Sequence, residues 1–188
     1  MKLKAIAPLC AKVKQIYLFD DGDGGQWISD GGSAYRLPET LGMLTPSAVT
    51  AMFDIPPEKA ADYTIDRRPL PEWQETDDTL PGEQPLNFEL TCRITFAGRD
   101  LLPLTAPDGR VFLIQTKYVK PLEDAEQINF NLRDGNGKYP PVIRAKDGLF
   151  LTALIMPTGA KQDERVSKWA GAVASGLKAR KSNGQAEV

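Results

Sequence analysis

Asp20-Asp-Gly-Asp-Gly-Gly25 is the segment whose residue types come nearest to a metal site. Alternating acids beside glycines are what an EF-hand loop uses, because oxygens at odd positions converge on Ca²⁺ and glycine permits the sharp bend. The bidentate Glu that closes such a loop is missing, and glycine or polar residues hold its place. The segment also falls between two strand-like runs rather than two helices, so it reads as a hairpin turn. Gly22-x-Gly-Gly is no phosphate loop, since no Gly-Lys-Ser/Thr follows and no helix opens there. Glu75 with Asp77-Asp78 offers paired carboxylates, the groups of general acid–base work, but in an acidic, proline-broken stretch they read as solvated surface. Lys2, Lys4, Lys12 and Lys14, with the basic C-terminal end, are candidates for a nucleic-acid patch; without interleaved aromatics such lysines ordinarily serve solubility. Trp27, Tyr35 and Phe53 are candidates for a ligand platform, and equally for core.

The chain contains no histidine. That removes the commonest general base near neutral pH and the commonest metal ligand. A Ser-His-Asp triad, a Cys-His pair and a histidine-bearing zinc site are therefore excluded within this chain. Cys10 and Cys92 stand far apart, outside any CxxC pattern, and read as reduced, partly buried thiols. No nucleophile, base or metal constellation emerges, so the expectation is a protein that is not an enzyme and uses no metal or cofactor. A small enzyme working through carboxylates is the catalytic alternative.

The elements that must position these residues can be read from periodicity and turn chemistry. Residues 3–19 alternate loosely and end in Gln15-Ile-Tyr-Leu-Phe19, a strand signal. Asp20–Gly25 turns the chain, Gln26–Ser29 returns, and Ala34–Leu37 follows as a third extended piece. Thr45-Pro46 opens a helix, with Thr45 free to accept amide hydrogen bonds and Pro46 suited to the first turn. Val49, Met52 and Phe53 share its apolar face, and Ile55-Pro-Pro57 closes it. A second short helix is expected over Glu58–Asp62. Residues 66–87, rich in proline and acid, predict an irregular arm pinned by Trp73.

From Phe88 to Phe96 the chain alternates apolar and polar residues, as a half-buried strand does. Leu101–Leu104, Val111–Ile114, Gln127–Arg133, Val142–Ala145 and Leu149–Met156 continue the strand pattern, with turns at Pro107–Gly109, Asp134–Gly137 and Asp147-Gly148. Thr116–Leu122 predicts a short helix. Beyond Pro157, Val166, Trp169, Val173 and Leu177 recur at helical spacing, with acids first and bases last, predicting an amphipathic helix over 161–181.

These elements predict an α+β fold: antiparallel sheets of short strands, two or three short helices and a C-terminal amphipathic helix. The expected division is one domain over 1–157, with the 66–87 arm, and a helical tail over 158–188. A net charge of −2 argues against a whole-molecule electrostatic fit to nucleic acid but leaves a local patch open. No apolar run approaches the roughly 18 residues of a membrane span, and Pro8 with Lys12 and Lys14 breaks any likeness of the start to a signal peptide. A soluble cytoplasmic protein is the expectation.

Phe112-Leu-Ile-Gln-Thr-Lys-Tyr-Val-Lys-Pro-Leu122, Ile128-Asn-Phe-Asn-Leu132, Pro141-Val-Ile-Arg-Ala145 and Leu149–Pro157 together resemble the end of a bacterial DNA polymerase sliding clamp subunit. The resemblance covers residues 111–157, about a quarter of the chain. It implies a clamp-like fold and a pocket for peptide motifs of protein partners, bordered by Leu154, Ile155, Met156 and Pro157. Trp169 of the tail is a further partner-binding candidate. The clamp pattern has no place for the 66–87 arm or the tail, and a clamp subunit holds more domains than this chain has room for. Gln26–Tyr35 and Phe53-Asp-Ile55 resemble proteins carried on prophages and other mobile elements. The leading expectation is thus a non-enzymatic, clamp-like binding module for protein partners, with DNA open and a link to replication. A structural or regulatory homo-oligomer of a mobile element is the alternative.

Overall fold

The computed structural model describes residues 1–71, 74–89, 93–135 and 137–158. The expected helix over 161–181, with Trp169, and the side chains of Trp73 and Cys92 lie outside these residues. The fold is mixed α and β, and every described strand pairing but one is antiparallel.

The chain divides into two compact units. Among the described residues the first comprises 1–81, 117–129 and 144–155; the second comprises 82–116, 130–143 and 156–158. Two of the chain's passages between them, at 129–130 and 143–144, fall inside strands, where no local sequence signal marks them.

The first unit opens on a 3₁₀ turn, Leu3–Ala5, and helix α1 (Ala7–Val13). This corrects the extended reading of residues 3–13. Ile6, Leu9 and Cys10 fall at helical spacing and are buried, and Pro8 occupies the first turn, where it costs no hydrogen bond. Lys14, at φ 53°, ends the helix in the left-handed region. Strands β1 (Gln15–Asp20), β2 (Gln26–Ser29) and β3 (Ser33–Arg36) follow as an antiparallel meander, in the register Leu18↔Ile28 and Ile28↔Tyr35. Helix α2 (Pro46–Met52) begins at Thr45, whose Oγ1 accepts the Ala48 amide at 3.2 Å, as its sequence requires. Helix α3 (Pro57–Ala60) is a single turn.

Strand β4 (Thr64–Pro69) then runs parallel to β1, residue for residue from Gln15↔Thr64 to Asp20↔Pro69. A parallel pair needs a long crossover, and residues 21–63 supply it. β4 occupies the start of the expected irregular arm. It is an edge strand, the place where a proline and exposed charges are tolerated.

In the second unit β5 (Gln84–Phe88), β6 (Ile94–Phe96), β7 (Arg99–Thr105) and β8 (Val111–Gln115) form antiparallel ladders centred on β7. Single 3₁₀ turns at Thr116–Tyr118 and Lys120–Leu122, in the first unit from Lys117 onward, replace the expected helix, Pro121 preventing an α-helical run. Strand β9 (Ile128–Arg133) contributes Phe130–Leu132 to the second unit, where they pair with β5. Strand β10 (Val142–Asp147) ends in the first unit, and β11 (Phe150–Ile155) pairs there with β3. The strand order of the first unit is thus β4-β1-β2-β3-β11 followed by the end of β10. Its core is Ile16, Leu18, Trp27, Ile28, Tyr35, Val49, Ala153 and Ile155, all fully buried. The core of the second unit includes Leu102, Leu104, Ile114, Leu132 and Phe130, whose ring meets Phe88 edge-on at 4.8 Å.

Candidate functional site

Ala7 and Ala11 lie one turn apart on the same face of α1. Having no side chain beyond Cβ, they leave a groove between α1 and the corner that joins α2 to α3. The corner is set by sequence: the Phe53 amide donates to Val49 O and the Ile55 amide to Thr50 O, Asp54 takes φ 50°, and Pro56-Pro57 forbids continuation. Met52, Phe53 and Ile55 face the groove from this side, with Tyr63 beyond them and Lys4, Ala7, Pro8 and Ala11 opposite. The space measures about 350 Å³, the small end of ligand pockets, which run to roughly 1,000 Å³. Its lining is apolar apart from one cation, Lys4, and one carboxylate, Asp54.

The lysines expected as a group fare differently. Lys2 bridges Asp124 at 3.0 Å and Glu123 at 3.6 Å, and Lys14 bridges Asp62 at 2.8 Å. Among the described residues Lys4 and Lys12 make no ion pair. Two of the four charges are therefore already balanced, and of the two unbalanced ones Lys4 lines the groove.

The second constellation is buried beneath β2 and β3. Asp30 has a side chain 2% exposed, and a buried carboxylate must be hydrogen-bonded or paired. Its Oδ1 accepts from the amides of Gly32 (3.0 Å) and Ser33 (2.9 Å) and from Ser33 Oγ (3.1 Å). Its Oδ2 faces Lys117 Nζ at 3.7 Å. Tyr35 donates to Tyr118 O at 2.9 Å, and the Cys10 thiol points at Ser29 O, 3.9 Å away. Gly32 is required here by contact: a Cβ on it would stand 2.3 Å from the Tyr118 hydroxyl.

Burial, with Asp30 nearby, pushes the Cys10 thiol up to about 12, and burial also drives the Tyr35 phenol upward. The thiolate that does nucleophilic chemistry is thus disfavoured in the folded protein. With Cys92 replaced by Ser, Cys10 is expected to resist alkylation by iodoacetamide at about pH 8 and to react freely once unfolded in urea. Above its unfolded pKa, near 9.0, the unfolded chain sheds a proton that the folded one keeps. Cys10 therefore adds stability below that pH and withdraws it as the pH climbs toward 12. Rapid labelling of the folded protein would contradict this account of the cluster.

The remaining predicted residues can now be placed. Asp21 Oδ1 accepts from the Asp23 and Gly25 amides and its Oδ2 from Trp27 Nε1, so the acidic loop is a self-bonded turn. Among the described residues no three acidic or cysteine side chains are grouped to hold a metal ion. Glu75, Asp77 and Asp78 do not form a carboxylate pair: Asp78 accepts from the Leu151 amide and Arg36, while Glu75 and Asp77 offer their backbone carbonyls to the buried Arg144. Trp27 and Tyr35 are core residues, whereas Phe53 is half-buried at the groove. Leu154 and Ile155 are buried in β11, paired with Ala34 and Ser33; Met156 and Pro157 fall in the second unit. No helix among the described residues is long and apolar enough to cross a membrane.

The chain matches no family model, no curated protein and no solved structure. What the site does must then be read from its own geometry. The groove residues of α1 went unpredicted because residues 3–13 read as loosely alternating. The Ile6, Leu9, Cys10, Val13 spacing was the helical signal, and it places Ala7 and Ala11 on the opposite, outward side.

Proposed function

We propose that the chain is a non-enzymatic binding protein whose first unit holds a short apolar, acid-flanked segment of a protein partner in the groove between α1 and α2. The observation that carries this reading is the contrast between the two constellations. The buried polar cluster spends its groups on itself: Asp30 is fully engaged, Cys10 is held as the thiol, and Tyr35 is bonded to the backbone. The groove is half-open, apolar and floored by residues that α2 and α3 hold in place. Apolar side chains entering it would gain about 25 cal/mol for each Å² removed from water, and Lys4 offers a carboxylate a partner at the rim.

The sliding-clamp resemblance points the same way, toward a protein partner taken through apolar side chains, although at Leu154–Pro157. Burial of Leu154 and Ile155 favours the groove as the contact surface. DNA fits the surface less well, because Lys2 and Lys14 already carry acidic partners.

The test uses anilinonaphthalene sulfonate, an apolar fluorophore with one negative charge. It is expected to bind the native protein and brighten, and Ala11→Arg, which fills the groove from an exposed position, is expected to weaken binding about tenfold or more without lowering the melting temperature. Undiminished fluorescence in Ala11→Arg would show that the groove is not the apolar binding surface.

A further inference from the structure

Of the large apolar side chains among the described residues, Leu149 and Phe150 are the most exposed, at 77% and 69%. They sit side by side at the tip of the hairpin joining β10 to β11, in the first unit. The tip is not loose. Gly148 donates its amide to Gln127 O at 2.9 Å, and the Gln127 amide donates to Asp147 Oδ1 at 3.1 Å. At φ 59° Gly148 takes the left-handed conformation that the tight turn requires. Presenting adjacent Leu and Phe on a backbone already fixed removes most of the ordering cost that a flexible segment would meet on binding.

Beside the tip Lys146 is buried, and the more exposed charges are negative. Asp147 and Glu126, the neighbour of Gln127, are both acidic, and among the described residues Glu126 makes no ion pair. The groove is lined by Lys4 and Asp54, and Lys12, next to Ala11 on α1, adds a second cation that makes no ion pair among the described residues. A space of about 350 Å³ admits side chains rather than a whole element, and the tip presents two.

We infer that the occupant of the groove is the Leu149–Phe150 tip of a second copy of this chain. The inference rests on the groove reading above and names its partner. Groove and tip are different surfaces of the same unit, so the contact is heterologous: each copy that docks its tip still offers an empty groove. Such contacts build rings if the rotation closes and open chains if it does not. Complementary rim charge steers the encounter and makes it salt-sensitive.

Sedimentation velocity on the full chain tests this with three samples. The native protein is expected to associate beyond a dimer with rising concentration, and less so in high salt. Phe150→Asp breaks the tip at a solvent-exposed position, and Ala11→Arg breaks the groove; each alone is expected to associate about tenfold or more weakly. Mixed, they are expected to form a dimer and no more, because one supplies an intact groove and the other an intact tip. Leu149→Lys in place of Phe150→Asp guards against a fold-specific artefact. A native protein that stays monomeric, variants that assemble as the native chain does, or a mixture that stays monomeric would each overturn the inference. Fluorophore binding by the native monomer in that case would leave the groove standing and remove only the second copy as its occupant.

Discussion

Asp30→Ala is expected to lower stability by about 3 kcal/mol, a value reached by combining lost hydrogen bonds with a stranded charge. Three donors, the Gly32 and Ser33 amides and the Ser33 hydroxyl, lose their acceptor at once. Lys117, whose side chain is 28% exposed, loses its anion but retains some water, so the full penalty of a buried unpaired charge does not apply. For a chain of this size the loss corresponds to a melting temperature lower by roughly 6 to 12 °C. Asp30→Asn separates the two causes. It keeps an acceptor at Oδ1 and removes the charge, so about 1 kcal/mol is expected. If Asn cost as much as Ala, the ion pair with Lys117 and not the turn would be the main contribution of Asp30.

Arg144→Met carries the second large effect, also about 3 kcal/mol. Arg144 is 1% exposed, and its guanidinium donates to the carbonyl oxygens of Glu75 and Asp77. Methionine has similar reach and fills similar space but leaves both carbonyls without that donor. The same segment is tied a second way, through Asp78 to the Leu151 amide at 2.8 Å and to Arg36 at 3.3 Å. The loss is therefore expected to appear locally first: faster amide exchange and proteolysis around residues 74–78, with a lowered global transition. Arg144→Lys retains charge without the fork and should fall between the two. Unchanged protection at 74–78 would mean that those carbonyls find other donors.

How far the sequence disclosed this structure depends on the range of the interactions concerned. The β1–β2–β3 meander was legible because Tyr17, Leu18 and Phe19 favour strands and Asp21 to Gly25 can close a turn on themselves. Thr45 and Pro46 announced α2 for an equally local reason. β4 was not legible: Arg67, Arg68 and Pro69 are poor strand residues, and only the parallel partner β1 and an edge position make them one. α1 was hidden for the opposite reason, since its apolar residues satisfied a loose alternation as well as a helical one.

The candidate sites divide along the same line. Asp30, Ser33, Lys117 and Tyr118 converge across more than eighty residues of sequence, and nothing local marks Asp30 as anything but a turn residue. Arg144 sits in a strand whose first five residues are all buried, so alternation could not say which face it takes. Leu149 and Phe150 open the strand pattern of Leu149–Met156, yet the Asp147-Gly148 turn beside them places them at a tip.

The most direct test of the groove as the surface that takes hold of another protein is a photo-crosslinker placed inside it. With benzoylphenylalanine at Ala11, irradiation of the purified protein is expected to yield a product of twice the monomer mass whose crosslinked peptide contains Phe150. The same group at Arg99, exposed on β7, serves as the control. Crosslinking at Ala11 no greater than at Arg99, or mapped away from residues 147–151, would contradict the account.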